Sequence, residues 1–234
     1  ENKHWIYWKA DNMTTYTLFC APDTYAMCAH AILEELDMEY DIRWIRIFDD
    51  NPDPDFLAAS PHCRTPALAS PEGTIFETGA VCLYLAERYS DSGLVIPAGD
   101  ARRGAFLQWM HYLATTLQPE VIIQFHPEFY HDDPILQDAL TSSSMKRLSG
   151  VFKTLEHALP DDAPYFFGVT PTVPDFILGM QTVWDIIFPD HDISAYPKLT
   201  RHRDAITKRP AVMRMMAQHQ KEAERRKHDA ATGH

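Results

Sequence analysis

The groups best suited to hold a small ligand lie in the segment 62–85. Glu77 supplies a carboxylate that can pair with an amine, and Thr78 supplies a hydroxyl at the start of a predicted helix. A helix N-terminus carries unpaired N–H groups and partial positive charge, so this corner can bind a carboxylate. If the Thr65-Pro66 bond is cis, Thr65 can present its N–H and C=O to an extended peptide. Together these groups describe a site for a γ-glutamyl tripeptide.

A β-hairpin that leads into a helix is expected to position these groups. Strands are predicted at 67–70 and 74–76, separated by the turn sequence Pro71-Glu72-Gly73. Thr78 can then accept a hydrogen bond from a first-turn N–H. The helix that follows has its larger apolar residues at helical spacing, namely Val81, Tyr84, Leu85 and Tyr89. An ordinary hairpin and capped helix that bind nothing would show the same pattern.

Thr65-Pro66 followed by Glu77-Thr78-Gly79-Ala80 resembles a pattern of the cytosolic glutathione S-transferases, a valine-proline pair and then Glu/Gln-Ser-x-Ala. Threonine at position 65 is a mild departure, because the family uses the backbone of that residue. The resemblance implies an α/β thioredoxin-like N-terminal domain plus an all-α C-terminal domain, the glutathione transferase fold. It also implies that glutathione is the cosubstrate, bound by Arg64, Thr65, Pro66, Glu77 and Thr78.

The order of predicted elements agrees with a thioredoxin-like N-terminal domain. A strand at 16–20, a helix at 24–37 and a strand at 40–48 form a βαβ unit ahead of the hairpin and its helix. Thr65-Pro66 falls where the thioredoxin-like fold keeps a cis-proline. The predicted divisions are an N-terminal extension (1–13), a glutathione-binding domain (14–92), a linker (93–99), an all-helical domain (100–220) and a polar tail (221–234).

A capping box is predicted in the helical domain. Thr172 can cap the N–H of Asp175 while Asp175 reaches back, just before the apolar helix 176–187. This pair resembles the capping box of the transferase C-terminal domain, which serves folding rather than catalysis. The resemblance to the family extends over about residues 16 to 215.

The composition predicts an acidic globular protein. With 21 Lys+Arg against 33 Asp+Glu among 234 residues, the formal charge is −12, which argues against nucleic acid and anionic membranes as partners. We see no apolar run long enough to span a membrane and no signal-peptide pattern. The four cysteines form no C-x-x-C pair, which favours a reducing compartment. A cytoplasmic location is therefore expected.

A glutathione enzyme must stabilise a thiolate, and the donor is expected at the start of the first helix. Lowering a thiol pKa from about 8.5 by about two units requires roughly 3 kcal/mol of preferential stabilisation of the anion. A helix N-terminus and one hydroxyl can supply this. The candidates are the Tyr25 phenol, the Thr24 hydroxyl and a backbone N–H. Alternatively, Tyr25 is a half-buried aromatic and Thr24 a plain N-cap.

The subclass is left open by two departures from the bacterial beta class. The segment 18–30 resembles that class and shares His30, but Tyr25 stands where the class has its cysteine. Gln118 stands where the class has a second active-site histidine. Mixed-disulfide chemistry therefore does not carry over from the resemblance.

The remaining thiols and loop charges have two interpretations each. Cys20 and Cys28 are expected to be buried small hydrophobes, with a redox thiol as the alternative. Cys63 lies in the loop before Thr65 and is expected to be the most exposed thiol. Arg64 or His62 can pair with the glycine carboxylate of glutathione, or either can be a solvated loop charge.

A hydrophobic electrophile is expected against the first helix of the second domain. Trp109, Tyr112 and Thr116 lie at i, i+3 and i+7 of that helix, a face that could equally be core. The segment 125–130 can add apolar surface. We expect no metal at His126 and His131, because Pro127 interrupts the helix and the spacing is not i, i+4.

The resemblance implies a glutathione transferase that acts with a small hydrophobic electrophile and forms a homodimer. Two other classes of function fit the same fold. One is a non-catalytic module that binds glutathione or another protein. The other is a glutathione-dependent lyase or isomerase, or a thiol oxidoreductase that uses Cys20 or Cys63.

Overall fold

The structure is a computed structural model that describes residues 15–232. The predicted N-terminal extension, residues 1–13, lies outside the described residues. The chain divides into two compact units. Of the described residues, the first unit comprises 15–92 and 209–232, and the second is Gly93–Lys208.

A four-stranded sheet of order β2-β1-β3-β4 forms the centre of the first unit. The strands are β1 (Tyr16–Cys20), β2 (Tyr40–Trp44), β3 (Ala67–Ser70) and β4 (Gly73–Phe76). β1 pairs with β2 in parallel and with β3 antiparallel, and β3 and β4 form the predicted hairpin. The thioredoxin-like arrangement is therefore confirmed. β2 ends four residues earlier than predicted, at Trp44.

The described part of the first unit contains the helices α1 (Ala26–Glu35), α2 (Pro54–Ala59), α3 (Thr78–Arg88) and α9 (Pro210–Thr232). α1 is shorter than predicted and buries every residue from Ala26 to Leu33. On the α2 side of the sheet, Phe19 packs on Phe56 with ring centroids 5.8 Å apart. Apolar burial of this kind, about 25 cal/mol per Å², is the main term that holds the unit together.

Helix α9 differs from the predicted end of the chain. Residues 209–220 were expected in the helical domain and 221–234 in a polar tail, but α9 is continuous from Pro210 to Thr232 and contacts α1 in the first unit. Its buried stripe includes His219 and Glu222 beside Val212 and Met215. Because two of the five buried residues of α9 are polar, the apolar period that marks a packed helix is weak in the sequence.

Glu34 of α1 is the main polar anchor of α9. Its carboxylate accepts hydrogen bonds from Arg214 Nε at 2.7 Å and Gln218 Nε2 at 2.8 Å. Burial alone would raise the pKa of Glu34, but the bonds from Tyr40 and Arg214 outweigh it and hold this pKa below its usual value. Nearby, burial lowers the pKa of His30 to about 4 and that of His219 to about 3, so both imidazoles are neutral at pH 7.

The second unit is helical, as predicted. Its helices are α4 (Arg103–Tyr112), α5 (Gln118–Phe125), α6 (Pro134–Ala158), α7 (Val173–Gln181) and α8 (Pro197–Thr207). Its core contains Phe106, Phe152, Phe176 and Phe188, with the rings of Phe152 and Phe188 stacked at 4.3 Å. Among residues 15–232, no helix combines the length and apolar character that a membrane span requires.

Asp175 forms the predicted capping box at the start of α7. Its Oδ2 accepts the Thr172 N–H at 2.7 Å and the Thr172 hydroxyl at 2.8 Å. Its Oδ1 accepts the Phe166 N–H at 2.9 Å and lies 3.2 Å from His202 Nε2. The carboxylate is fully buried. Four donors from three segments of the second unit therefore meet at one side chain.

Gly179 lets α7 pack closely against α8. A Cβ at this position would lie 2.5 Å from Ile206 Cγ2 and 2.9 Å from Ile206 Cβ. We expect Gly179→Ala to lower the free energy of unfolding by about 2 kcal/mol, the usual cost of overpacking a core. Gly150→Ala in α6 is the matched control, because a Cβ there would meet no atom within 4 Å apart from its chain neighbours and the backbone of its own helix. The control should gain about 0.5–1 kcal/mol, and equal effects in urea denaturation would contradict the packing argument.

Candidate functional site

The sheet brings three chain segments to one edge. Phe19 near the end of β1 pairs with Ala67 at the start of β3, and Ala67 also pairs with Phe76 at the end of β4. The loop that carries Thr65-Pro66 therefore enters the sheet at the edge where β1 and β4 leave it. The start of α1 follows β1, and the start of α3 follows β4. All the predicted glutathione-binding residues belong to these segments.

The Thr65-Pro66 peptide bond is cis, which is the condition on which the predicted peptide pairing depends. Pro66 is buried, whereas Thr65 is partly exposed and precedes β3, which begins at Ala67. The backbone N–H and C=O of Thr65 therefore lie outside the strand. This position suits the pairing with an extended peptide for which Thr65 was predicted.

Thr24 connects the start of α1 to the cis-proline loop. Its hydroxyl donates to the C=O of Ala21 at 2.8 Å, and its oxygen lies 3.1 Å from the Thr65 hydroxyl. The same oxygen accepts the Ala26 N–H at 3.3 Å. A hydroxyl has one hydrogen. Because that hydrogen is directed to Ala21, Thr24 fixes the geometry of the edge more readily than it donates to a thiolate.

Glu77, rather than Thr78, is the N-cap of α3, which corrects the predicted cap. Glu77 has φ +75° and makes no side-chain capping bond, and Thr78 is the first helical residue. The first helical bond in this turn is from the Val81 N–H to Glu77 O at 2.9 Å, so the N–H groups of residues 78–80 have no helical acceptor. A non-glycine residue at positive φ is uncommon and strained, and such residues cluster at ligand sites. The start of α3, which was predicted to bind a carboxylate, therefore carries N–H groups that have no helical acceptor.

Tyr25 stands at the N-cap of α1. The residue is partly buried and its phenol oxygen is fully covered. Helix α1 has no acidic residue in its first turn, so no carboxylate competes there for the helix N-terminus. A thiol held at this helix start would meet partial positive charge.

Arg64 is an exposed residue of the loop whose guanidinium lies 5.5 Å from the centre of the Phe48 ring. Its backbone is fixed by Ser60, which accepts the Arg64 N–H at 3.0 Å and donates to the Arg64 C=O at 2.8 Å. The side chain is therefore at the surface, where it can reach a ligand carboxylate. His62 in the same loop is also exposed.

The cysteines differ in access. Cys20, Cys28 and Cys82 are buried, and burial raises the pKa of all three thiols, that of Cys28 to about 12. Cys63 is partly exposed and packs against the core cluster of Phe19 and Phe56. A nucleophilic thiol needs thiolate character and access. Of the two cysteines named for thiol chemistry, Cys63 has the access that Cys20 lacks.

The predicted electrophile-binding residues lie on two kinds of helix. Trp109 stacks on Phe166 at 5.0 Å and meets Tyr112 edge-on at 5.4 Å, and both residues are partly exposed. A π-helical segment, Leu113–Leu117, then separates α4 from α5. Because its turn is wider than an α-turn, Thr116 does not keep the i+7 position that the sequence predicted. Thr116 is exposed.

His126 and His131 have local partners rather than a shared one. His126 Nδ1 lies 2.9 Å from Glu128 Oε1, and His131 Nδ1 accepts the Asp133 N–H at 2.9 Å. Phe125, Phe129 and Tyr130 of the same segment are each about 40–50% exposed. The segment therefore offers apolar surface, as predicted.

Comparison with known proteins bears on both units. Residues 14–87 match the family model "Glutathione S-transferase, N-terminal domain". The chain is 24% identical over 192 residues to the glutathione S-transferase-like protein OpS6 of Beauveria bassiana, covering 80% of this chain and 87% of that one. It is also 26% identical over 139 residues to elongation factor 1-gamma 3 of rice, Oryza sativa subsp. japonica, covering 58% of this chain and 32% of that one.

A solved structure shares the fold over most of the chain. It is a sphingomonad glutathione S-transferase complexed with glutathione, with a TM-score of 0.75 and 22% identity, covering 87% of this chain and 98% of that one. The N-terminal match and this likeness agree with the sheet topology and the helical second unit described above. Residues 14–87 therefore match the N-terminal domain of the glutathione S-transferases, and the chain shares the fold of a solved glutathione S-transferase.

Proposed function

We propose that the protein is a glutathione transferase that activates the glutathione thiol for attack on a hydrophobic electrophile. The observation that supports this most is the meeting of three segments at one sheet edge: the start of α1, the cis Thr65-Pro66 loop and the strained start of α3. Each segment offers a different group to a γ-glutamyl tripeptide. The solved relative that binds glutathione has the same fold.

Each part of glutathione has a counterpart at this edge. The N-terminus of α3 and the Thr78 hydroxyl bind the γ-glutamyl carboxylate, and Glu77 pairs with the amine beside it. The backbone of Thr65 pairs with the central cysteinyl residue. Arg64 pairs with the glycine carboxylate. This arrangement directs the thiol toward the start of α1.

The thiolate is held by the N-terminus of α1 and by Tyr25. Tyr25 is the preferred donor, because the hydrogen of Thr24 is directed to Ala21. Its phenol oxygen is covered in this structure, so the Tyr25 side chain must turn toward the ligand when glutathione binds. The thiol loses its proton to solvent, and the sulfur attacks an electrophilic carbon as the leaving group departs. Trp109, Tyr112 and Thr116 contribute to binding of the apolar electrophile, and the segment 125–130 supplies further apolar surface.

Removal of the Glu77 or Thr78 side-chain groups at the start of α3 should weaken glutathione binding selectively. We expect Thr78→Val to raise the Kd about 10-fold and Glu77→Ala to raise it about 10- to 100-fold, since hydrogen bonds to charged groups contribute about 1.5–3 kcal/mol. Isothermal titration calorimetry with glutathione measures both. Thr154→Val is the control, because its exposed hydroxyl binds Gly150 O within α6. An unchanged Kd in both test variants would place glutathione elsewhere or exclude its binding.

A non-catalytic glutathione-binding or protein-interaction module is the second candidate. Two observations favour it: the Thr24 hydroxyl is already bonded to Ala21, and one relative is named elongation factor 1-gamma 3. Such a module would bind glutathione without lowering its thiol pKa. Titration of the bound glutathione thiol therefore separates these two functions.

Lyase, isomerase and peroxide-reducing reactions need the same thiolate and differ in the electrophile. A thiol oxidoreductase would instead need a reactive protein cysteine, and the burial of Cys20 leaves Cys63 as its candidate. Labelling with iodoacetamide across pH tests this directly. A homodimer and a cytoplasmic location belong to the same proposal, supported by the match of residues 14–87 to the N-terminal domain of the glutathione S-transferases and by four free cysteines.

A further inference from the structure

Three side chains that metal ions favour converge inside the first unit. Cys20 lies at the end of β1, His30 in α1 and His219 in α9, and their exposed fractions are 0%, 0% and 3%. Among residues 15–232 they form the group of His, Cys and acidic residues whose ligand atoms lie close enough to share an ion. We propose that Cys20, His30 and His219 form a buried site for a thiophilic metal ion, Zn²⁺ or Cu⁺.

The distances between the three ligand atoms fit a single ion. His30 Nδ1 lies 3.0 Å from His219 Nε2, and Cys20 Sγ lies 3.7 Å from the same nitrogen. All three atoms lie within 4.8 Å of one another. With metal–nitrogen bonds of about 2.0–2.1 Å and metal–sulfur bonds of about 2.3 Å, tetrahedral geometry requires separations of about 3.3–3.6 Å. The 3.0 Å and 3.7 Å separations lie within a few tenths of an ångström of these values, and the third, between Cys20 Sγ and His30 Nδ1, must close by no more than about 1.2 Å.

The hydrogen bonds around His30 direct a lone pair toward this centre. Tyr40 donates its single hydroxyl hydrogen to Glu34 Oε1 at 2.5 Å, so its oxygen must accept from His30 Nε2 at 2.8 Å. His30 Nδ1 is therefore the unprotonated nitrogen and faces His219. Metal-binding histidines are commonly oriented in this way, with the second ring nitrogen donating to a carboxylate or another acceptor. Tyr40 and Glu34 supply that acceptor chain.

Two imidazole nitrogens 3.0 Å apart need a proton or a cation between them. Without an ion, His219 must donate from Nε2 to His30, and its Nδ1 is then buried with no partner among the described residues. A bound ion replaces that shared proton, and the hydrogen of His219 moves to Nδ1. The same ion would bind Cys20 Sγ. In this structure the thiol makes only a long contact with its acceptor Ala21 O, at 3.9 Å.

The ligand set selects the class of ion. One thiolate and two imidazoles favour Zn²⁺ and Cu⁺ over Mg²⁺ and Ca²⁺, which prefer oxygen. Binding forms a metal–sulfur bond and breaks the S–H bond of Cys20, and one proton passes to the buffer per ion. Three protein ligands satisfy Cu⁺, whereas Zn²⁺ would take a fourth ligand from solvent. This inference does not depend on the proposed transferase activity.

Cobalt provides the most direct spectroscopic test. Since the three side chains are buried, the full chain is refolded with Co²⁺, Zn²⁺ or Cu⁺ in parallel, and excess ion is removed before the metal content is measured. We expect one ion per chain, a sulfur-to-cobalt charge-transfer band in the Co²⁺ form, and a rise in Tm over the metal-free protein. Retention of Zn²⁺ alone or Cu⁺ alone would support the site and identify its ion.

Matched variants connect that signal to the three residues. Cys20→Ser should lose the charge-transfer band, and His219→Gln should weaken binding at least about 10-fold, which keeps the test available if one variant fails to fold. Tyr40→Phe retains all ligands and should weaken binding about 10-fold through the loss of orientation. Cys82→Ser, a buried thiol outside the cluster, should bind like the unmodified protein. Failure to retain any of the three ions, or a band that survives Cys20→Ser and disappears in Cys63→Ser, would overturn the proposal.

Discussion

Asp175→Ala is expected to lower the free energy of unfolding by about 4 kcal/mol, because four buried donors lose one acceptor. The carboxylate bonds the Thr172 N–H and hydroxyl at the start of α7, the Phe166 N–H in the preceding turn, and His202 of α8. Each unsatisfied buried group costs about 1–3 kcal/mol. Chemical denaturation followed by far-ultraviolet circular dichroism measures the loss.

Asp133→Ala is the matched control for this prediction. Asp133 is the N-cap of α6, where it accepts the Ile135 N–H at 2.9 Å in an exposed position. Loss of an exposed cap costs about 1 kcal/mol. An equal effect of the two substitutions would contradict the view that burial makes Asp175 the stronger determinant. Since Asp175 lies in the second unit, its loss should reduce stability without a specific effect on glutathione affinity.

Tyr25→Phe is expected to lower kcat/KM for an activated aryl chloride about 50-fold at a pH of about 6.5. If the phenol contributes most of the roughly two-unit fall in thiol pKa, its removal returns the pKa of the bound thiol to about 8.5. The fraction of thiolate at a pH of about 6.5 then falls from about one half to about one hundredth. The Kd for glutathione should change little, because the carboxylate corner is intact. Stopped-flow measurement of product absorbance at several pH values would follow the shift.

Thr24→Ala distinguishes two roles for Thr24: hydrogen-bond donor to the thiolate, or support for the position of the cis-proline loop. Since the Thr24 hydroxyl donates to Ala21 and adjoins Thr65, its loss should disturb the cis-proline loop and raise KM more than it lowers kcat. A large loss of kcat in Thr24→Ala with none in Tyr25→Phe would reverse the assignment. If both variants keep the activity of the unmodified protein, the helix N–H groups alone stabilise the thiolate.

Local sequence signals were sufficient for the sheet and for several groups at its edge. The hairpin, Thr65-Pro66 and the Thr172–Asp175 capping box each depend on residues close together in the chain, and turn and cap chemistry is local. The cap of α3 was predicted one residue too late, at Thr78. The reason is that Glu77 adopts φ +75°, a conformation that a sequence does not favour for glutamate.

Long-range contacts account for most of what the sequence did not predict. The π-helical turn at Leu113–Leu117 has no local sequence signal and moves Thr116 off the predicted face. The packing of α9 on α1 depends on His219 and Glu222, whose polarity conceals the buried stripe. Cys20 and His219 are 199 residues apart in sequence, so the cluster with His30 could not be seen before the fold was known.

The central claim is that the edge of the sheet holds glutathione as a thiolate. Ultraviolet difference titration of the glutathione complex measures this most directly, because thiolate absorbance reports the ionised fraction at each pH. We predict a bound thiol pKa of about 6.5, about two units below the usual thiol value of about 8.5, consistent with roughly 3 kcal/mol of preferential stabilisation. Saturable binding with a pKa of about 8.5 would contradict catalysis and favour the binding module, and absence of binding would contradict the whole assignment.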